Sequence, residues 1–443
     1  MELFLLADVG STYTKLLAVD PTGKIVARAS AYTTVQTDVS EGFARARKEI
    51  ERQSGHSDFS VLACSSAAGG LTMVACGLVP ELTGQAARLA VLGAGAKLLY
   101  VLGYRINPGE LERLNQVKPD MLLLAGGTDG GNRDILLNNA DTLAKGLYPL
   151  PVIVAGNKDC AQEAADILAS AGFPVSVAGN VMPELGELDI EPARESIRDL
   201  FLRHIVEAKG MNKLSDLLAA PLMPTPAAVF QGGQLLAEDY PELLLVDVGG
   251  ATTDVYTFGG LLLAPGMVRR GLKPPREMRT VEADIGMRYS LASLVEQVDS
   301  NLFERSAAWR QELDLMLASP DYLVSDRGNE FEAALAAEAV RLAVGRHAGT
   351  LERVYSPMGH IDVLRGKDLR TIKTIVGVGG VLVNSSHPGQ ILQGALAPHP
   401  ERLMPVDARL LLDSDYILAA AGLLASLAPE AARTLLKNSL ISV

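Results

Sequence analysis

The chain is laid out as short apolar runs broken by Gly, Pro and Asp, and one arrangement of these runs occurs twice. Leu3 to Ala7, Leu16 to Val19 and Ile25 to Ala29 read as three consecutive strands of a meander. Leu243 to Val246, Val255 to Phe258 and Leu261 to Ala264 read the same way. The first two strands of each set are joined through related segments, Asp8-Val9-Gly10-Ser11-Thr12-Tyr13-Thr14-Lys15 and Asp247-Val248-Gly249-Gly250-Ala251-Thr252-Thr253-Asp254. A pattern that recurs once in this way predicts two lobes that open alike.

Between the copies the period changes. Met121 to Ala125 is a buried-strand run ending in Gly126-Gly127, followed by a helical stretch from Arg133 to Lys145. Strand Val152 to Ala155, helix Cys160 to Ala171 and strand Val175 to Ala178 come next. Strands alternating with helices predict βαβ units, hence a small parallel sheet inserted as a Rossmann-like subdomain over residues 81–185. Charged helical sequence runs from Glu191 to Leu218 and again from Leu291 to Leu317. The expected division is a first lobe over 1–80, the insert, a helical connection over 186–240, a second lobe over 241–404, and a segment over 405–443 that returns a helix to the first lobe.

Composition narrows the class. A chain of 443 residues is too long for one ordinary core. The net charge of -12, with no large Lys/Arg cluster, argues against a nucleic-acid partner. Three cysteines, Cys64, Cys76 and Cys160, form neither a disulfide framework nor a C-x-x-C pair. The six histidines make no metal box. The N-terminus has no basic run of the signal-peptide kind, and Met121 to Ala125 is too short to span a bilayer, so a cytoplasmic protein without a membrane partner is expected.

The repeated segment carries the chemistry. A triphosphate with Mg²⁺ needs backbone N–H donors, close approach, and carboxylates near the metal. Gly10, Gly249 and Gly250 provide turns without a Cβ. Ser11, Thr12, Thr252 and Thr253 add hydroxyls, and Lys15 adds a cation. Asp8 and Asp247 each end an apolar strand, which aims their carboxylates out of a rigid sheet. Ile375-Val376-Gly377-Val378-Gly379-Gly380-Val381 is a further strand running into a loop, where Gly377, Gly379 and Gly380 leave room for a ring or ribose. Pro224-Thr225-Pro226-Ala227-Ala228-Val229-Phe230 and Asp415 to Leu424 are rich in small residues, as an ordinary core helix or a close helix crossing at a hinge would be. Ala125 to Gly131 is either a ligand or partner loop or a plain βα turn.

In this order, the two hairpins and the Gly-Val-Gly-Gly loop resemble the ATPase core of actin, Hsp70 and the sugar kinases. That resemblance implies an α/β fold of two ribonuclease-H-like lobes closing on ATP and Mg²⁺, with two helices crossing between the lobes. It makes Asp8 and Asp247 the metal-binding and catalytic carboxylates, without assigning the base. Asp284-Ile285-Gly286 resembles the segment that opens a helix near base and ribose. More narrowly, Cys64 to Leu71, Ala125 to Asn132, Met223-Pro224-Thr225-Pro226 and Glu282 to Arg288 resemble the GlmL family, also called MutL of glutamate mutase. Such proteins accompany adenosylcobalamin-dependent mutases, which implies an ATP-driven chaperone or reactivator of the mutase with slow turnover. The rival readings are a small-molecule kinase, whose ATP consumption rises only with its substrate, and a nucleotide-gated scaffold, which polymerises in ATP. An iron–sulfur activator needs paired cysteines that this chain lacks.

Overall fold

The computed structural model describes residues 3–10, 13–33, 38–65, 72–206, 214, 216–260, 267–304, 306–320, 322, 324, 329–356 and 359–443. The chain forms two compact units, Met1–Gly232 with Ala419–Ala432, and Gly233–Leu418 with Arg433–Val443.

In the first unit, β1 (Leu3–Val9), β2 (Tyr13–Val19) and β3 (Ile25–Tyr32) form the expected antiparallel meander. β4 (Phe59–Ser65) lies parallel to β1 on its other side. Helix Val39–Ser54 makes the crossover. Asp38 caps it by accepting the Ser40 N–H at 2.8 Å, and Gly55 ends it in the left-handed region at φ 70°. Val39, Phe43, Ala46 and Ile50 recur on its buried side.

A second sheet follows directly, of β5 (Thr72–Gly77), β6 (Lys97–Gly103), β7 (Met121–Leu124), β8 (Val152–Val154) and β9 (Val175–Val177). All its pairings are parallel, in the order β6-β5-β7-β8-β9. Every side chain of β7 is buried, as it must be when helices cover both faces of a parallel sheet. Leu136 and Leu143 of helix Asp134–Gly146 and Leu168 of helix Lys158–Ser170 share one core with Leu122, Val152 and Val154. The alternating pattern folds as a doubly wound insert that begins at Thr72 rather than at residue 81, because β5 lies between β6 and β7 in its sheet.

β10 (Met223–Pro224) then returns to the first sheet, parallel to β4, and completes the order β10-β4-β1-β2-β3. Helix Thr225–Asp239 follows, and the chain passes from one unit to the other within it. Gly422 of helix Leu418–Ala425 lies against its start: a Cβ there would stand 1.9 Å from the Ala228 carbonyl oxygen and 2.8 Å from the Gly232 nitrogen. The small residues of both segments therefore serve a backbone-to-backbone crossing that only glycine permits.

The second unit repeats the first sheet. β11 (Leu243–Val248) and β12 (Thr253–Phe258) form the hairpin. A short β13 (Met267–Arg269) pairs elsewhere, and β14 (Glu277–Glu282) is the third strand beside β12. The Leu261 to Ala264 run expected in that position lies outside the described residues. β15 (Thr350–Ser356) and β16 (Gly359–Arg365) join β13 in a separate three-stranded sheet. β17 (Thr374–Val378) and β18 (Arg409–Asp413) run parallel to β11, and β19 (Leu440–Ser442) closes the edge. The order β14-β12-β11-β17-β18 has the same senses as β3-β2-β1-β4-β10. Helix Asn329–His347 covers this sheet, with Phe331, Leu335, Val340 and Val344 in one core with Leu244, Val246 and Ile375. The C-terminal segment is shared between the units, since Ala419–Ala432 belongs to the first and β18 and β19 to the second.

The buried Lys367 is expected to make the stability of this second unit depend on pH. Lys367 is fully buried, and its ammonium donates to the carbonyls of Pro275 at 2.8 Å and Arg276 at 2.6 Å. Burial pushes its pKa down from 10.5 to about 7, against the pull of Glu242 and Glu277. The folded value lies below the unfolded one, so between pH 7 and 10.5 the unfolded chain binds more protons and stability rises with pH. Denaturant unfolding at pH 7, 8 and 9 should show this rise, up to about 1.4 kcal/mol per pH unit. The Lys367→Met chain should lose it.

Candidate nucleotide-binding site

The two hairpins close identically. The Gly10 N–H donates to the Tyr13 carbonyl at 3.1 Å, and the Gly249 N–H donates to the Thr252 carbonyl at 2.9 Å. Asp8 stands opposite Lys15 in the first register, and Asp247 opposite Asp254 in the second. The correspondence drawn from the sequence is therefore a correspondence of backbone positions.

In the first hairpin, Ser11 and Thr12 lie outside the described residues. A Cβ on Gly10 would meet the Tyr13 carbonyl oxygen at 2.8 Å, so the tight turn requires glycine. Two donors fall on the same Asp8 oxygen: Thr225 Oγ1 at 2.9 Å and Cys64 Sγ at 3.5 Å. Burial pushes the Asp8 carboxyl above its usual range, opposed by the Thr225 hydroxyl and the charge of Lys15. Burial, together with the Asp8 charge, holds the Cys64 thiol well above its ordinary value, which makes it unreactive. Thr14 is buried and bonded to Thr33 at 2.9 Å, whereas Lys15 is exposed.

In the second hairpin, the carbonyls of the turn are taken up by the segment that follows β14. Gly249 accepts from the Met287 N–H at 3.1 Å, and Gly250 accepts from Arg288 and Tyr289, both at 2.8 Å. Ser290 Oγ donates to the Ala251 carbonyl at 2.7 Å. This leaves the turn's shape fixed. Thr252 is half-buried, while Thr253 is fully buried, and its hydroxyl has no hydrogen-bond partner among the described residues. Sequence reasoning gave Asp254 no role. It is buried, accepts from Arg279 at 2.7 Å and from the Tyr256 hydroxyl at 3.3 Å, and keeps its Oδ1 without a partner among the described residues. The signal available was a lone carboxylate beside the apolar run Val255 to Phe258.

The Gly-rich loop meets this hairpin. β17 pairs with β11 so that Val378 stands beside Asp247. Gly379 has φ 100°, and a Cβ there would lie 2.5 Å from Asp247 Oδ1 and 2.6 Å from the Val248 carbonyl oxygen. Gly380 is exposed and begins helix Gly380–Val383. Gly377 faces the core instead, where a Cβ would press on Leu392 and Leu382. The structure thus joins Asp247, Gly249, Gly250, Gly379 and Gly380 at one corner of the second unit. Asp284 is held in a two-toothed ion pair with Arg346, at 2.6 and 2.8 Å, and accepts from Gln297 at 3.1 Å. The Arg346 hydrogen bonds hold its carboxyl below the usual range.

The loop 126–131 of the insert satisfies itself. Asn157, fully buried, accepts from the Gly130 N–H at 3.3 Å and donates to the Gly131 carbonyl at 3.2 Å. Asn180 donates to the Gly127 carbonyl at 3.1 Å and to Asp129 at 2.9 Å. Its polar groups are engaged in holding the loop.

Strand order gives the class. Two sheets of one order, each opening on an Asp-Val-Gly hairpin, make this the two-lobed ribonuclease-H-like fold of the actin, Hsp70 and sugar-kinase type. The chain belongs to the MutL protein family, whose model matches residues 4–440. It is 42% identical over 468 residues to Protein MutL of Clostridium tetanomorphum, with 100% of each chain covered. Among solved structures it is similar to component A of the Acidaminococcus fermentans (R)-2-hydroxyglutaryl-CoA dehydratase, at TM-score 0.34 and 11% identity over 99% of both chains. It is also similar to a ROK family glucokinase from Streptomyces griseus in complex with glucose and AMPPNP, at TM-score 0.36 and 11% identity over 94% of this chain and 98% of that one. No helix among the described residues is long and apolar enough to cross a membrane.

Proposed function

We propose that this chain is an ATP-dependent chaperone or reactivating factor for an adenosylcobalamin-dependent mutase. ATP binding and slow hydrolysis change the angle between its lobes. The observation that carries this reading is the pair of hairpins with the same turn closure, each with an aspartate two residues before the glycine. Membership of the MutL family supports the mutase as client.

The two hairpins act as phosphate-binding elements. Lys15, Ser11, Thr12 and Thr252 contact phosphate oxygens. Thr253, expected with them from the sequence, is fully buried and is left out of this set. Gly379 and Gly380 border the adenosine; Gly377, expected with them, packs on the core instead, and Asp284, expected near base and ribose, is engaged by Arg346 and Gln297. Asp8 and Asp247 would hold Mg²⁺, directly or through water, with Asp247 the preferred base. The donor set fits that ion. Both are hard oxygen donors, and Mg²⁺ keeps most of its ligands as water and phosphate oxygen. When bound it neutralises charge on the phosphates. The protein's own task is to orient the attacking water in line and exclude bulk solvent. ATP drives the lobe change only as far as it binds one arrangement more tightly than the other.

The test is reactivation. A mutase inactivated in turnover is mixed with this protein, fresh cofactor and ATP. Recovered activity that requires ATP supports the reading, and its absence, or recovery without ATP, contradicts it.

A further inference from the structure

The head of helix Thr225–Asp239 is held from several sides. Met223 and Pro224 pair with Cys64 and Ser65 in β4, the strand beside β1. Gly95, past the end of helix Gln85–Gly93, approaches so closely that a Cβ would be 3.2 Å from the Pro224 ring and 3.4 Å from the Ala227 nitrogen. Gly422 presses on the Ala228 carbonyl. The first residue of this helix, Thr225, donates to Asp8 Oδ1 at 2.9 Å across 217 positions of sequence. Cys64 donates to the same oxygen at 3.5 Å, so two donors converge on Oδ1.

We propose that Thr225 is a positioning residue: its hydroxyl fixes the Asp8 carboxylate and ties the head of the helix that links the two units to the first hairpin. Donors on one oxygen restrain the rotation of the carboxylate, so the other oxygen is held toward one direction. The link runs both ways. A shift of the helix head moves the donor, and a change at Asp8 loosens the helix head. The same helix carries the chain out of the first unit at Gly232, so this hydrogen bond stands where a nucleotide-driven movement would begin. The part of this inference that concerns turnover rests on the nucleotide reading above, and the part that concerns the helix does not.

Two measurements on the full chain test it. In the absence of nucleotide, amide exchange is followed at Val229 and Phe230, whose helical partners are the carbonyls of residues 225 and 226. Thr225→Val and Asp8→Ala should each speed exchange about tenfold, and the double variant no further, because both remove one interaction. Additive acceleration to about a hundredfold, or no change in either single variant, overturns the link. With Mg²⁺ and ATP, Thr225→Val should lower kcat about tenfold or more with KM within about threefold, since orientation matters most in the transition state. Thr225→Ser, which keeps the donor, should stay within about threefold of the native rate. Equal loss in both variants, or a native rate in Thr225→Val, overturns the positioning role. If the native chain neither binds nor hydrolyses ATP, the nucleotide reading fails and the exchange measurement alone decides.

Discussion

An Asp8→Ala chain is expected to hydrolyse ATP about a hundredfold more slowly than the native chain or worse, while melting at about the same temperature. Under the proposed function the loss follows from removing a fixed charge aimed at metal and phosphates, a type of interaction whose deletion costs about 10²–10³ in rate. Retained folding follows from the balance around the carboxylate. Burial disfavours its charge and raises its pKa, and the Thr225 hydroxyl and Lys15 only partly oppose this. Deleting a group that is costly to bury leaves the Thr225 hydroxyl unpaired, at about 1 kcal/mol, and relieves a cost of similar size. Hydrolysis assays beside thermal melts check both halves. Unchanged hydrolysis removes Asp8 from the mechanism.

Gly379→Ala should do more damage to the fold and as much to nucleotide binding. At φ 100° an alanine is strained, and its Cβ would overlap the Val248 carbonyl oxygen and an Asp247 carboxylate oxygen. Strain and overpacking together should destabilise the second unit by about 2–4 kcal/mol. Whatever relaxes must displace Asp247, so ATP affinity should fall at least about tenfold. Gly380→Ala provides the contrast in stability. Its Cβ would find nothing closer than 3.8 Å, and stability should change by about 0.5 kcal/mol or less. Denaturant unfolding and fluorescent-nucleotide binding on both variants check this, and a Gly379→Ala chain as stable as the Gly380→Ala chain contradicts it.

The features legible in the sequence were those with local causes. The Asp-Val-Gly hairpins could be read because turn residues and flanking strands are written within about fifteen positions, and the same backbone bonds close both turns. The insert could be read because alternation of strand and helix has a period of its own. What depended on distant pairing could not. That Gly379 presses on Asp247 follows from β17 lying beside β11, with the hairpin's own third strand and a long helix between them in sequence. The Thr225 hydroxyl on Asp8 spans 217 positions. Asp254 lies beyond the turn, and its one sequence signal is a carboxylate entering an apolar strand, a sign of a buried partner, here Arg279. Gly377, read as part of the adenosine loop, has its Cα face against Leu392 and Leu382, a packing requirement invisible in a run of glycines.

The proposed function requires Asp8 and Asp247 to serve one metal–triphosphate. Calorimetric titration of ATP, with and without Mg²⁺, into the native, Asp8→Ala and Asp247→Ala chains tests this directly. One ATP per chain should bind in a Mg²⁺-dependent manner, and each substitution alone should weaken binding at least about tenfold. Native binding that both substitutions leave untouched, or no binding at millimolar ATP, contradicts it.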